Sequence, residues 1–303
     1  MKHADIIQTL DLEQKCALLS GGTVFDTRAL PGKNVPSITL SDGPNGVRKQ
    51  AGAADHLGLN PSVPATCFPT SATVANSWDP ALGEAIGEAM GEEAAAQEVS
   101  VLLGPGLNIK RSPLCGRNFE YFSEDPYLAG KMAAGYVRGI QKNGIAACPK
   151  HFAVNSQELR RMASDSIVDE RTLREIYLTG FEIVVKEAKP KTIMSSYNLI
   201  NGTYANENAH LLKDILRKDW GFDGAVVTDW GGSNDHALGV KNGSTLEMPF
   251  PGDDSVRELM KAVESGKISE ADVDARLDEL LELVLDTKAA VEAAPRTFDA
   301  DAH

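Results

Sequence analysis

The sequence predicts an α/β fold of the TIM type, a (β/α)8-like barrel whose first repeats are irregular or incomplete. Short apolar runs rich in β-branched residues alternate with longer segments of helical period, a pattern typical of βα units around a parallel sheet. The chain has 303 residues, a length that a single α/β barrel often reaches. We therefore predict one barrel domain over residues 1–288, and residues 289–303, which have no core-forming period, resemble the start of a linker.

Six segments are predicted strands because each is a short apolar run of the kind found in buried parallel strands. Residues 1–35 and 43–78 have a weaker pattern and are richer in Gly and Pro, so eight regular repeats are not expected. The six candidates are, in chain order, SITLSD (37–42), VSVLLGPG (99–106), GIAACPKHF (144–152), KTIMSSYN (191–198), GAVVTDW (224–230) and STLEMP (244–249).

Capping signals indicate where several helices begin. Asp79-Pro80 and Asp125-Pro126 each place a capping acid before a proline that suits a first helical turn. Ser269 is a plausible cap for a last helix with one apolar face. Another helix is predicted over residues 173–188, where apolar residues at three- and four-residue spacing form one stripe. The stripe consists of Leu173, Ile176, Tyr177, Phe181, Val184, Val185 and Ala188.

The composition argues against several classes of partner. Thirty Lys and Arg against 43 Asp and Glu give a formal net charge of −13, which repels phosphate backbones and anionic membranes, so nucleic acid is not an expected partner. No apolar run is long enough to span a membrane, and the N-terminus lacks a signal-peptide core.

The cysteines form no CxxC pair, which favours buried thiols in a reduced, cytoplasmic enzyme. They are Cys16, Cys67, Cys115 and Cys148.

No cofactor or metal site is predicted. The GPG run at 104–106 lacks both the spacing of a dinucleotide-binding loop and the lysine of a phosphate loop, so it is interpreted as a tight turn. The histidines away from the strand ends lack the spacing of metal ligands.

Unusual polar residues follow four of the predicted strands. Asp42 ends the first, and Lys150-His151, Tyr197-Asn198 and Asp229-Trp230 end three later ones. In a parallel barrel these carboxyl ends form one face, where active sites are built. Three arginines on loops are expected to join them, namely Arg48, Arg117 and Arg161. Charged groups that hydrogen-bond hydroxyls, together with aromatic rings that cover an apolar C–H face, suit a polyhydroxylated ligand such as a sugar.

Five ordered segments carry a resemblance to glycoside hydrolase family 3, of the β-glucosidase type. The resemblance runs from about residue 40 to residue 248. It implies a barrel that is the N-terminal, catalytic domain of such an enzyme. The segments are LSDGPNGVR, GPGLNIKRSPLCGRNFEYFSEDP, KHFAVNSQE, MSSYNLINGTYANEN and WGFDGAVVTDWGG.

The resemblance also implies roles for individual residues. Asp229 of the TDW segment is expected to be the nucleophile of a retaining β-glucosidase that removes terminal, non-reducing β-D-glucosyl residues. Arg160 and Arg161 are adjacent, and the spacing from Lys150 favours Arg161. The residues expected to line the sugar subsite are Asp42, Arg48, Arg117, Lys150, His151, Arg161, Tyr197 and Trp230.

The retaining mechanism needs a second carboxyl group, which acts as acid and then as base, about 5 to 5.5 Å from the nucleophile. We expect nearby Arg117, Lys150 or Arg161 to lower the pKa of Asp229 and keep it ionised for attack. No carboxylate in the chain is a persuasive acid. The candidates are Glu120, Glu124, Asp125, Glu158 and Glu247.

The resemblance suggests where the acid comes from. In two-domain members of the family it is a Glu on a second α/β domain after the barrel. Single-domain relatives use a His-containing loop after the KHF segment, and the run KHFAVNSQELRR lacks it. We therefore expect a C-terminal α/β domain as partner, a small β-glucoside or oligosaccharide as substrate, and little activity from this chain alone.

Two other functions stay open. Lys150 could form a Schiff base in an aldolase or lyase, which borohydride trapping would reveal. The chain could also be a non-catalytic sugar-binding half-enzyme, which binding without turnover would support. The sequence decides neither the sugar, since glucose, xylose and galactose differ by one substituent or hydroxyl, nor the oligomeric state, and a homo-oligomer stays open.

Overall fold

The computed structural model describes residues 1–52, 54–55 and 59–303. Strands and helices alternate along most of this length, as the sequence predicts. The strands are short, because each ladder holds only two or three residues before the chain turns away. They are β1 Leu40–Asp42, β2 Val101–Leu103, β3 Ala146–Ala147, β4 Asp165–Ser166, β5 Thr192–Met194, β6 Leu199–Ile200, β7 Thr203–Tyr204 and β8 Ala225–Val227.

Helices occupy most of the segments between the strands. Three of the predicted helix starts are confirmed, because Asp79, Asp125 and Ser269 each accept hydrogen bonds from backbone N–H groups of the first turn. The last helix continues to Ala293. The α-helices are α1 Ala4–Ile7, α2 Leu12–Leu18, α3 Ser71–Ala75, α4 Pro80–Ala96, α5 Pro126–Gln141, α6 Glu170–Thr172, α7 Thr179–Ala188, α8 His236–Asn242, α9 Asp253–Glu264 and α10 Glu270–Ala293. Two π-helices lie at Leu173–Leu178 and His210–Asp219, and two 3-10 helices lie at Pro31–Lys33 and Ala205–Glu207.

Parallel pairing dominates the sheets. In the described residues β1, β2 and β3 form one parallel sheet, and β5 and β8 form another. In a small third sheet β4 pairs parallel with β6, which pairs antiparallel with β7. Because parallel strands need a crossover, the intervening helices α4, α5 and α7 pack beside them.

The prediction of a barrel is confirmed only as a mixed α/β fold, because the described residues show no closed barrel. Single parallel bridges extend the pairing from Phe152 to Ser195 and from Val227 to Leu246. The STLEMP segment contributes bridges of this kind and no ladder strand. The irregularity predicted for the first part of the chain is present, since residues 43–70 hold no helix or ladder strand in the described positions.

Two apolar clusters cover opposite sides of the strands. Leu102 of β2 points into the cluster formed with α4, α5 and α7, while Val101 and Leu103 point into the cluster formed with α2, α9 and α10. This alternation follows from the two-residue period of a strand. Strands buried on both faces fix the loops at their carboxyl ends, where the polar residues lie.

Two predictions about burial need correction. Ile176 was placed on the apolar stripe of the 173–188 helix, but its side chain is exposed, because π-type hydrogen bonding over Leu173–Leu178 rotates the stripe. All four cysteines were predicted to be buried thiols, but Cys67 is exposed in the irregular segment before α3, whereas the other three are buried. Among the described residues, no helix has both the length and the apolar composition needed to cross a bilayer.

Candidate active site

The predicted strand-end residues lie where the parallel strands finish. Asp42 is the last residue of β1, Lys150 and His151 follow β3, Tyr197 follows β5, and Asp229 follows β8. Backbone hydrogen bonds between the loops hold them together, since Ser195 N–H donates to Val227 and Phe152 N–H donates to Met194. The strand order thereby gathers side chains that lie far apart in the sequence.

One carboxylate oxygen of Asp229 accepts a backbone hydrogen bond, and the other faces the ring of His151. Oδ1 accepts the backbone N–H of Trp230 at 2.8 Å. Oδ2 lies 3.6 Å from Nε2 of His151. Both Oδ2 and Nε2 are buried, and neither atom has a hydrogen-bond partner among the described residues. Buried polar atoms are rarely left in this way, so this pair of atoms is a candidate binding point.

The ionisation of Asp229 differs from the prediction. Burial raises the pKa of this carboxyl above its ordinary value, and the charges of Arg117, Lys150 and Arg161 and the Trp230 N–H lower it by less. The three cations do lower the pKa of Asp229, as predicted. The prediction that this pKa lies below its ordinary value is wrong, because removal of the carboxylate from water raises the pKa by more than the cations lower it.

Lys150 lies deep in the site beside Asp42. Its side chain is 4% exposed, and Nζ is 3.8 Å from Oδ1 of Asp42. Lys150 and Asp42 therefore form an ion pair inside the site. Arg48 pairs with Asp42 through the backbone, its N–H donating to the Asp42 carbonyl at 2.9 Å, and its side chain is exposed.

Arg117 enters the site from the loop after β2. Its Nε donates to Oε1 of Glu120, three residues later, and the Glu120 side chain is almost completely buried. The guanidinium also acts on Asp229 and His151 electrostatically. Arg117 therefore balances the charge of two buried carboxylates.

Arg161 and Tyr197 stack together on the exposed side of the site. The guanidinium carbon of Arg161 lies 4.5 Å from the centroid of the Tyr197 ring, a cation–π distance. Nη1 of Arg161 donates to Glu158 at 2.7 Å. The neighbouring Arg160 is exposed, so the structure brings Arg161 to the site, as the sequence indicates.

Trp230 closes one side of the site. Its indole N–H donates to the Val24 carbonyl at 2.6 Å, and the Phe25 ring packs on it with centroids 5.3 Å apart. The Tyr197 hydroxyl donates to the Trp230 carbonyl at 2.7 Å. These contacts order the loop that carries Asp229.

Three residues that the sequence analysis missed hold His151 in place. Oδ1 of Asn108 accepts from the backbone N–H of His151 at 2.6 Å, and Nδ2 of Asn108 donates to the backbone carbonyl of His151 at 2.8 Å. The Tyr121 hydroxyl lies 3.0 Å from Nδ1 of the ring, and Asn155 donates to that hydroxyl at 3.1 Å. Burial first, and then Arg117, Lys150 and Arg161, lower the pKa of His151 well below its ordinary value, so the ring is neutral at pH 7.

The carboxylates considered as acids have other contacts. Asp125 caps α5, and Glu120 and Glu158 pair with Arg117 and Arg161. Glu247 accepts hydroxyl hydrogen bonds from Ser20 and Ser255. Glu124 is exposed. Within the described ranges, no group of three His, Cys, Asp or Glu residues is arranged to hold a metal ion.

A comparison with protein families identifies the chain. The model of the glycosyl hydrolase family 3 N-terminal domain matches residues 53–283. The chain belongs to glycoside hydrolase family 3. Among the family's curated members, a thermostable β-glucosidase B of Acetivibrio thermocellus is 49% identical over 300 residues, 98% of this chain and 39% of that protein. An exo-α-(1→6)-L-arabinopyranosidase of Bifidobacterium longum is 46% identical over 298 residues, again 98% and 39%.

Solved structures of family 3 enzymes agree with the fold. A β-glucosidase of Bifidobacterium adolescentis matches with a TM-score of 0.91 at 42% identity, over 98% of this chain and 42% of that one. β-Glucosidase 3B of Thermotoga neapolitana in complex with glucose matches with a TM-score of 0.91 at 39% identity, over 100% and 45%. The chain thus spans about two fifths of the length of the curated relatives it matches.

Proposed function

We propose that this chain is the nucleophile-bearing domain of a retaining β-glucosidase that removes terminal, non-reducing β-D-glucosyl residues. The observation that carries the proposal is Oδ2 of Asp229, buried, unpartnered among the described residues and surrounded by Lys150, Arg117 and Arg161. A carboxylate with one oxygen held by a backbone N–H and the other directed into a polar site suits attack on an anomeric carbon.

The first displacement follows from this geometry. Oδ2 of Asp229 bonds to C1 of the sugar as the bond from C1 to the leaving oxygen breaks, and the leaving oxygen takes a proton from an acid. Glu120 and Glu158 are held by arginines. We propose that the acid, which later acts as base for water, comes from a part of the enzyme outside residues 1–303.

The decisive experiment is covalent trapping of Asp229. A 2-deoxy-2-fluoro-β-glucoside with a dinitrophenolate leaving group needs no acid, so it should add one fluoroglucosyl unit to the chain, as seen by intact-protein mass spectrometry. Peptide mapping should place the adduct on Asp229, and Asp229→Asn should abolish it. Asp223→Asn, an exposed carboxylate six residues away in the sequence, is the matched control. Labelling elsewhere, or none on folded protein, would contradict the proposal.

The origin of the base can be tested separately. Azide attacks the glycosyl-enzyme without a base, so it should accelerate turnover of the dinitrophenyl glucoside if this chain lacks its own acid/base residue. The product should be a β-glucosyl azide. Turnover that is fast without azide and insensitive to it would show that a carboxylate of this chain supplies the base.

A second substrate deserves a test because of the arabinopyranosidase relative. An α-L-arabinopyranoside is a six-membered-ring sugar that lacks the hydroxymethyl group of glucose, so the two ligands differ in one substituent and in hydroxyl configuration. Comparing the rates at which Asp229 is glycosylated by dinitrophenyl β-D-glucoside and by dinitrophenyl α-L-arabinopyranoside would decide between them. We expect the glucoside to react faster.

A further inference from the structure

A chain of three buried side chains leads from the rim of the site to the ring of His151. Oε1 of Glu158 accepts from Nδ2 of Asn155 at 3.2 Å, and the same Nδ2 donates to the Tyr121 hydroxyl at 3.1 Å. That hydroxyl lies 3.0 Å from Nδ1 of His151. Asn155, Tyr121 and His151 are each at most 1% exposed. Each polar hydrogen of these three side chains therefore needs a hydrogen-bond acceptor within the protein.

The direction of the hydrogen bonds is set at the Glu158 end. The Glu158 carboxylate accepts from Arg161 at 2.7 Å and can only accept from Asn155. The amide of Asn155 must therefore present nitrogen, not oxygen, to both Glu158 and Tyr121. The two N–H bonds of this nitrogen supply one donor to each.

The direction then passes through Tyr121 to the histidine. Its oxygen accepts from Asn155, and Nδ1 of His151 is the one remaining acceptor that the described residues offer to its O–H. If Nδ1 carried a proton, the buried hydroxyl would have no acceptor. Nδ1 must therefore be unprotonated, which places the single N–H proton of the neutral ring on Nε2.

We propose that Asn155 and Tyr121 are positioning residues that hold His151 as the Nε2–H tautomer, so that the ring presents a hydrogen-bond donor to Oδ2 of Asp229 and to a sugar hydroxyl beside it. The tautomer follows from the contacts alone, whereas the sugar contact rests on the proposed function. The opposite tautomer would direct a bare nitrogen at a carboxylate oxygen 3.6 Å away, and two acceptors facing each other in a buried site repel.

The ring tautomer can be observed directly. Two-bond 1H–15N correlation spectra of the chain labelled with 15N-histidine distinguish a protonated Nε2 from a protonated Nδ1, and His151→Gln identifies the signal by removing it. We expect Nε2–H at pH 7 in the unsubstituted chain. Observation of Nδ1–H, or of a doubly protonated ring, would overturn the proposal.

Two substitutions test the hydrogen-bond relay, by which we mean the series of contacts from Glu158 through Asn155 and Tyr121 to Nδ1 of His151. Asn155→Asp replaces the donor by an acceptor, so the Tyr121 O–H should turn towards it and Nδ1 of His151 should become protonated, reversing the tautomer. Tyr121→Phe removes the donor to Nδ1 and should give a mixture of tautomers. Tyr136→Phe is the matched control, because the Tyr136 hydroxyl is buried and has no partner among the described residues, and it should leave the ring unchanged. A relay variant that keeps pure Nε2–H would refute the relay.

The rate of adduct formation on Asp229 adds a functional measurement. We expect Tyr121→Phe to slow fluoroglucosylation about tenfold, equivalent to about 1.4 kcal/mol, with circular dichroism unchanged, and Tyr136→Phe to leave the rate unchanged. An unchanged rate in Tyr121→Phe would overturn the positioning role. The outcomes separate the two proposals: Nε2–H without any adduct contradicts the glucosidase proposal alone, whereas an adduct on a chain with Nδ1–H contradicts the relay alone.

Discussion

Arg117→Met is the substitution that most directly tests the charge balance of the site. The guanidinium pairs with Glu120 and also acts on Asp229. Among the described residues, Glu120 has no other ion-pair partner. Removing Arg117 should therefore leave one buried carboxylate without a counter-charge and remove a cation that favours the ionised form of Asp229.

Burial determines the size of the effect. The Arg117 and Glu120 side chains are 18% and 3% exposed, and breaking a buried ion pair on one side costs about 3 to 5 kcal/mol. For a domain of this size the melting temperature should fall by roughly 2 °C or more for each kcal/mol lost. Arg161→Met is the matched control, since Arg161 and Glu158 form the same i,i+3 pair at 36% and 24% exposure. Solvent screens that pair, so its loss should cost about 1 kcal/mol or less.

Thermal unfolding followed by circular dichroism measures both effects. Glu120→Leu added to Arg117→Met should restore much of the lost stability, because removing both members of a buried pair is often neutral. The double variant should still form the Asp229 adduct slowly, because the cation near Asp229 stays absent. If Arg117→Met costs no more than Arg161→Met, or if Glu120→Leu restores nothing, the reasoning from burial is wrong.

Three further predictions follow from burial and packing. Because burial raises the pKa of Asp229 above its unfolded-state value, ionising it costs folding free energy, so Asp229→Asn should raise the urea midpoint at pH 7. The gain should disappear as the pH falls below both pKa values, and equal midpoints at pH 7 would contradict it. Iodoacetamide should alkylate Cys67 rapidly in folded protein and spare Cys148, whose pKa burial raises to about 12; Cys67→Ser should abolish the fast phase. Gly139→Ala should destabilise the protein by about 1 to 3 kcal/mol, because a Cβ there meets the Glu84 carbonyl across the contact of α4 with α5, whereas Gly32→Ala, which meets nothing within 4 Å, should not.

The helix starts could be predicted because their causes are local. Asp79, Asp125 and Ser269 each bond to backbone N–H groups two or three residues away, so a short sequence window holds all the information. Strand pairing depends instead on residues far apart, such as Val101 with Ala146. The sequence therefore indicated the α/β class, while the extent of each ladder and the absence of a closed barrel in the described residues were visible only in three dimensions.

The site shows the same division between local and distant causes. Asp42, Lys150, His151, Tyr197 and Asp229 could be predicted to converge because each follows a strand, and parallel strands end on one face. The roles that the resemblance gives these residues stay predictions until Asp229 is labelled. The sequence analysis did not identify the residues that hold His151, because Tyr121 contacts it from 30 positions away in the sequence and Asn108 from 43. A signal was available for all three, since Asn108 and Tyr121 stand in the segment that also carries Arg117, and Asn155 stands with His151 in the KHFAVNSQE segment.

The pKa of Asp229 shows what a residue list omits. A sequence shows which cations are present, but not how far the carboxylate is removed from water, and here that second effect is the larger. The two effects serve different steps of the proposed reaction. Burial makes the anion costly and therefore favours its conversion to a neutral ester with C1, while Lys150, Arg117 and Arg161 keep it available as an anion. More cations would ionise Asp229 further, but they would also oppose the positive charge that develops on the sugar ring in the transition state. A nucleophile poised between burial and three cations can satisfy both requirements.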